Sequence, residues 1–570
     1  MESGSENIYS YASGIAVTTD PRTANQIQEI SNKMNTGAEN FEIGSISPEI
    51  FESIPQQHLK EINRLTRLTG TSASVHGPII EAFGYTREGW NEQSRQAAER
   101  QMMSAVERSH EINPDGNIPV TFHSTAMLPE TEEKVMIEEK GEKKEVIKSA
   151  LIIDPETGKI GQLRERKRYF PGQLPTFNVK AELKEQNNEL WSSELTHITF
   201  NTTRGVEAIE SAERVLNKET YDKIKSEKLK IEDLPPPEQK DYEHAIRNIN
   251  YGDVFLREGY RELKEIYNKA FHNADEEDRK KLSEFAKEVE QNKEKIDKDP
   301  MFLAQIMEKG VQTLRQIETP QTLKPLNEFF LDKSSETFAN VAFNAYEKFG
   351  SNAPIISIEN PPAGSAFSRA EDLKNLIEET RKKFAQKAVK EGYSKSEAEK
   401  AAAKLIGATW DVGHINMLRK YGYEKPELLK QTETIAPFVK HVHLSDNFGL
   451  EHTELPMGMG NVPFKEILAK LGKEGFEGKK VIEAGNWFQH FKTMPLPETL
   501  EAMGSPLYPM LAQPSWRQIY NTQGIYSSGY GLMLPDQHFS IYGAGFTSLP
   551  TELGGQIPGK QSRLSGTPNA

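Results

Sequence analysis

The sequence predicts a (β/α)8 barrel with a large insertion, on three observations. Short apolar runs alternate with amphipathic helical stretches from Ile8 to His123 and again from Pro354 to Glu483, the pattern of parallel strands joined by crossover helices. Eight such runs can be placed, the number that closes a barrel of this type. Six of them end in a side chain able to ligate a metal: His76, His123, Glu359, Asp411, His443 and Glu483. Sites in such barrels lie at the carboxyl ends of the strands.

Taken in order, IYSYASGIAVTT (Ile8 to Thr19) reads as the first strand, and Asp20-Pro21 as a helix start with a cap followed by proline. Ile27, Ile30 and Met34 fall at helical spacing, and Gly37 is expected to end that helix. A second strand is expected over Glu39–Ile43. A helix carrying Leu59, Ile62 and Leu65 should stop at Gly70 and be followed by the strand SASVHGP. A long helix over Trp90–Ser109 leads to the fourth strand, IPVTFHST.

The fifth comparable strand arrives only at Pro354, after an expected crossover helix over Ser335–Phe349. The sequence therefore divides into a first barrel half (1–127), an α+β insertion (128–334), a second half (335–493) and a tail (494–570). An insertion after strand four sits on the active-site face, where it could serve as a lid or substrate arm. Its first part reads as β-rich: ALIIDPETGKIGQLRERKRYF as a hairpin turning at Asp154–Lys159, then FNVKAEL and LTHITFN as further strands. After Pro235-Pro236-Pro237 it reads as charged helices through Arg315, a solvated face or spacer bundle. In the second half a helix with an extended charged turn is expected over Asp372–Lys404, then the strand ending at Asp411, helix Pro426–Ile435, the strand to His443, helix Pro463–Leu471 and the strand to Glu483. The tail is rich in Gly, Pro, Ser and Tyr and has too little aliphatic periodicity for its own core. It is expected to be disordered, to wrap the barrel or to engage a protein partner.

Composition narrows the chemistry. A chain of 570 residues exceeds one compact core. A net charge of −14 gives no general basis for binding nucleic acid or an anionic membrane, although a local basic patch is compatible with it. With no cysteine, any transition metal must be held by His, Asp and Glu, a set suited to zinc, manganese or magnesium. No run is long and apolar enough to span a bilayer and Met1–Tyr11 has no leader pattern, so a soluble cytoplasmic protein is expected.

The ligand-type residues at or after strand ends are His76, His123, Glu359, Asp411, His414, His443, His452, Glu454 and Glu483. A lone histidine at a strand end is usually a hydrogen-bonded structural residue. Glu359 and Glu483, however, close apolar strands where an unpaired carboxylate would be costly, and a divalent cation is the simplest common partner. Nine groups exceed one four-coordinate ion, so two or three metals are expected, with a carboxylate such as Glu359 shared by a pair.

At these residues a resemblance emerges. HGPIIEAFG, SRQAAERQM, FHST, IENPPAG, WDVGH, HLSD, HTELPMGMGNV and VIEAG resemble the successive motifs of the endonuclease IV (AP endonuclease family 2) proteins, within the xylose-isomerase-like TIM barrel superfamily. The resemblance spans most of residues 8–124 and 350–490, and neither the insertion nor the tail. It implies that His76, His123 and Glu359 bind one zinc, that Glu359, Asp411, His443 and Glu483 bind a second, and that His414, His452 and Glu454 bind a third. In the last pair this chain has His then Glu where the family has Asp then His. The implied reaction is attack on a phosphodiester, as at abasic sites in DNA, by a hydroxide whose formation zinc promotes by lowering the pKa of bound water from 15.7 to about 7. His441 shares the strand face of His443 one layer deeper and reads as a core residue.

Two departures weigh against DNA. Where family members resemble one another in an Arg-bearing loop and an aromatic wedge, this chain has EIGSISPEIF and Gly77-Pro78-Ile79. A replacement strip is Arg164, Arg166 and Arg168 on one face of the hairpin beside Tyr169 and Phe170, set against a plain reading as a charged edge strand. Three functions stay open: a zinc-dependent phosphodiesterase acting on nucleic acid, an isomerase or epimerase of a sugar or sugar phosphate, and a non-catalytic metal-stabilised scaffold. In the isomerase, one or two manganese or magnesium ions would serve and Glu359 and Glu483 would shuttle a proton.

Overall fold

A computed structural model describes residues 15–34, 38, 40–45, 47–139, 142–165, 177–214, 234–477 and 479–484, with isolated positions Trp487, Pro495, Leu496, Thr499 and Ala502. The first four barrel strands are β1 (Ile15–Thr18), β2 (Asn40–Gly44), β3 (Ser72–His76) and, after a two-residue pair β4 (Tyr85–Thr86) and β5 (Gly89–Trp90), β6 (Pro119–His123). The insertion holds β7 (Glu132–Glu139), β8 (Glu142–Ile153), β9 (Ile160–Arg164) and β10 (Lys324–Pro325). The barrel resumes with β11 (Ile355–Glu359), β12 (Ile406–Asp411), β13 (Val439–Leu444) and β14 (Lys479–Ile482). Eight strands close in the order β1-β14-β13-β12-β11-β6-β3-β2, and every pair is parallel. This is a (β/α)8 barrel.

Strand alternation sends Phe41, Ile43, Val75, Phe122, Ile358, Trp410 and Leu444 outward beneath the helices, where all are buried. Several inward residues below the strand ends are polar. Thr121 and Thr409 are 2.8 Å apart, and Thr409 donates to Ser357 at 2.7 Å. His441 Nε2 donates to Glu42 at 2.8 Å, and Ser74 donates to the same oxygen at 2.9 Å. β2 and β13 are not neighbours, so the Glu42–His441 bond crosses the barrel's interior. A hydrogen-bonded polar cluster takes the place of part of the branched aliphatic filling usual in such barrels.

Several local expectations are corrected. The first helix runs Gln26–Met34 and does not begin at Pro21, because Asp20 is occupied by Arg22, accepting from its backbone N at 3.0 Å and from Nε and Nη2 at 2.9 Å. FNVKAEL and LTHITFN are not strands; both fall in or at the start of one helix, Val179–Glu213, whose Asn178 cap accepts from Ala181 N. Its buried positions Leu183, Asn187, Trp191, Leu195, Ile198, Thr202, Gly205 and Ile209 keep helical spacing, which outweighs the β-branched residues within it. The helix expected over Asp372–Lys404 is two, Ala370–Lys390 and Lys395–Leu405, broken at Gly392 (φ 96°) and restarted by Ser394.

In the insertion, β7, β8 and β9 form an antiparallel sheet, with β8 and β9 joined across Asp154–Lys159, and β10 pairs with β8. Long helices Val179–Glu213 and Pro236–Asn273 pack with Glu276–Gln291 and Pro300–Arg315 around Trp191, Leu195, Leu256, Leu263, Met307 and Leu314. At their crossing an added Cβ on Gly252 would stand 2.7 Å from Gly205 O, so the two backbones meet where neither has a side chain. Arg369 ties the sheet to the barrel: it donates to Glu130 at 2.6 Å, to Lys134 O at 2.9 Å and to Tyr423 at 2.5 Å, while Tyr423 also bonds Glu145. Among the described residues no helix is long and apolar enough to cross a membrane.

Candidate metal centre

The strand ends converge as a ring. Among the described residues, His76, His123 and Glu359 form one set with ligand atoms within 4.8 Å of one another, Glu359, Asp411, His443 and Glu483 a second, and His76, His443 and Glu483 a third that overlaps both. Glu359 is fully buried, and its oxygens are divided: Oε1 lies 2.8 Å from His443 Nδ1, and Oε2 lies 3.2 Å from His123 Nε2 and 3.3 Å from His76 Nε2. Glu483 Oε2 is 3.1 Å from His443 Nδ1. Asp411 accepts from His414 N at 2.6 Å and from Ser445 Oγ at 3.1 Å.

Second contacts fix which imidazole nitrogen faces the ring. His76 Nδ1 donates to Gly77 O at 3.0 Å, leaving Nε2 for Glu359. His414 Nδ1 donates to Asn360 O at 2.7 Å, leaving Nε2 pointing at His452 Nε2, 2.8 Å away. This is the arrangement of a ligating histidine, whose outer N–H is held by an oxygen. Glu454 lies at positive φ (47°) with Oε1 3.6 Å from His452 Nε2, but His414, His452 and Glu454 are not among the sets whose atoms all converge. The loop bearing His452 and Glu454 is pinned by Asp446, which accepts from the backbone N of Asn447, Gly458 and Val462 at 2.8–3.0 Å.

Burial works against charge throughout the ring, and neighbours decide where it stays. For His76, burial is overcome by Glu359, which raises the imidazole to about 9. Glu359, Glu42 and Glu483 likewise hold His443 well above its ordinary value against its burial. Burial would raise Glu359, yet His443 and His123 keep it well below the usual carboxylate range, and His443 holds Glu483 at about 2. Asp411 is pushed up by burial and by Glu483 and Glu359. His414 is pushed down to about 3 by burial and by His452. Ionised carboxylates buried beside imidazoles are the donor set that a divalent cation completes. Glu359 Oε2 and Glu483 Oε2 are buried yet make no well-aligned hydrogen bond among the described residues, so the residues present fit bound cations.

Glu42 was not foreseen. It forms a further converging set with His441 and His443, and its signal was a carboxylate between Phe41 and Ile43 in an otherwise apolar strand. His441 is fully buried, one layer below the ring, and bonded to it. Of the proposed nucleic-acid strip, Arg164 is exposed at the end of β9, bonded to Gln162, and does not line the site cavity. Arg166, Arg168 and Tyr169 lie outside the described residues. That cavity, about 550 Å³, is walled by Val17, Arg22, Lys33, Ile79, Pro361 and Pro362 above the ring.

Fold and site together define a (β/α)8 barrel with a histidine and carboxylate ring at the carboxyl ends of its strands. Residues 356–490, which carry β11 to β14, match the family described as xylose isomerase-like TIM barrel. An uncharacterized protein of Methanocaldococcus jannaschii is 34% identical over 84 residues, 15% of this chain; the match covers about a quarter (27%) of that relative's length. Among solved structures, a D-tagatose 3-epimerase-like protein aligns with a TM-score of 0.37 at 14% identity, over 87% of this chain and 97% of its own. D-psicose 3-epimerase with D-tagatose from Clostridium cellulolyticum H10 aligns at 0.37 and 8%, over 86% and 96%.

Proposed function

We propose that the protein is a metal-dependent phosphodiester hydrolase, of the endonuclease IV kind, taking nucleic acid or a phosphorylated small molecule. The observation that carries this reading is the division of Glu359, one oxygen toward His76 and His123, the other toward His443. His76, His123 and Glu359 would hold one ion, and Glu359, Asp411, His443 and Glu483 a second. Cations so held supply Lewis acidity toward a phosphoryl oxygen and a nucleophile from water at neutral pH. The chain's residues do the rest. Gly77 O and Asn360 O orient His76 and His414, and His414 and His452 present a pair of imidazoles at the rim, with Glu454 beside them, where a third ion or a phosphoryl oxygen would be met.

A second reading is favoured by the cavity. About 550 Å³ suits a small molecule, and the set Glu359, Asp411, His443 and Glu483 is complete without His76 and His123. A sugar or sugar-phosphate isomerase or epimerase would use that set alone, with Glu359 or Glu483 exchanging the proton.

Elemental analysis with paired assays decides. Two or three zinc per chain and chelator-sensitive cleavage of bis(p-nitrophenyl) phosphate or an abasic-site duplex support the hydrolase. One manganese or magnesium with ketose epimerisation supports the second reading and sinks the first.

A further inference from the structure

We propose that Glu42 is a positioning residue for the metal centre, holding the outer nitrogen of His443 so that Nδ1 faces Glu359 and Glu483. The inference rests on the reading that the ring binds divalent cations.

A neutral imidazole has one N–H and one lone pair. To ligate through Nδ1, His443 must carry its proton on Nε2 and needs an acceptor there. His76 and His414 each have a backbone carbonyl in that role. His443 has instead Glu42 Oε1, 3.0 Å from Nε2, off the N–H axis. Glu42 is in turn gripped from two sides through its other oxygen, by His441 Nε2 from β13 and by Ser74 Oγ from β3. Those two bonds occupy Oε2 and turn Oε1 toward His443.

The carboxylate has no exposed surface. A fully buried carboxylate is expensive unless paired and hydrogen-bonded, and Glu42 reaches two histidines of β13 at once. His441 thereby belongs to the support of the ring, not merely to the core. Carboxylate partners behind ligating histidines fix tautomer and ring orientation, and their loss costs about 10- to 100-fold in metal affinity.

The test uses the full chain, stripped by chelator and titrated with Co(II), read by visible absorption and by bound cobalt at saturation. In Glu42→Gln, Co(II) affinity should fall about 10- to 100-fold with an altered absorption band and unchanged cobalt stoichiometry. Ser74→Ala should show a smaller loss in the same direction. Wild-type affinity and spectrum in a folded Glu42→Gln overturn the proposal while leaving the ring's cations in place. A saturating stoichiometry lower by one ion overturns it differently, by making Glu42 itself a ligand of a deeper site with His441. Should Glu42→Gln fail to fold, wild-type affinity and spectrum in Ser74→Ala overturn it. No cobalt bound by the wild-type chain removes the proposed function and this inference together.

Discussion

Lys480 has no exposed surface, and burial pushes its ammonium down to about 8. In the unfolded chain the group titrates near 10.4, so between pH 8 and 10.4 the unfolded state binds a proton that the native state does not. Stability therefore rises with pH across that window. Lys480→Met is expected to flatten this rise, seen by thermal unfolding at pH 7, 8.5 and 10. Glu359 gives a second prediction at this scale. Its removal to Gln breaks the one group shared by the two proposed ligand sets, so the hydrolysis proposed above should fall by about 10²- to 10³-fold in zinc-loaded protein, with less zinc at saturation by elemental analysis. That six strand-end groups would converge could be read from the sequence because each closes an apolar run, where a charged or imidazole group is conspicuous. Glu42 escaped because it lies inside a strand, and nothing local says that two histidines four hundred positions away will face it. The departure at His452 and Glu454 was visible as letters, but its consequence, a His414–His452 contact with Glu454 at positive φ, depends on loop geometry.

Elements with one apolar face were legible, and those with mixed signals were not. The barrel strands are short, buried and followed by helices of ordinary length. Val179–Glu213 carries Ile198, Thr199, Phe200 and Thr202 in a run that favours a strand locally, and only its long-range spacing reveals the helix. The same helix yields a prediction at Gly205, where an added Cβ would meet Leu256 Cγ at 2.6 Å and Gly252 O at 3.0 Å. Gly205→Leu should destabilise the insertion by about 1–3 kcal/mol or more, read as faster proteolysis there, with metal binding by the barrel unchanged. The loop after β13 depends on Asp446. Asp446→Ala leaves three backbone donors without their acceptor, each costing about 1–3 kcal/mol, so hydrogen exchange at Gly458 and Val462 should speed at least tenfold.

For the whole molecule, the join between insertion and barrel is Arg369 with Glu130, Tyr423 and the carbonyl of Lys134. Arg369 is buried and Glu130 nearly so. Burial would raise Glu130, and Arg369 acts against that. Arg369→Met strands this carboxylate and should cost about 3–5 kcal/mol in denaturant unfolding, much of it restored by adding Glu130→Leu. β6 and β11 are hydrogen-bonded neighbours, with His123 level with Glu359, although the whole insertion lies between them in the chain. During synthesis the first four strands must wait with an open edge until the insertion has been made, an order that exposes β6 to mispairing. A cation held by His76, His123 and Glu359 would bridge that late seam, so zinc should raise the yield of refolding. A chain cut by a protease site engineered into the insertion should stay whole in zinc and come apart in chelator.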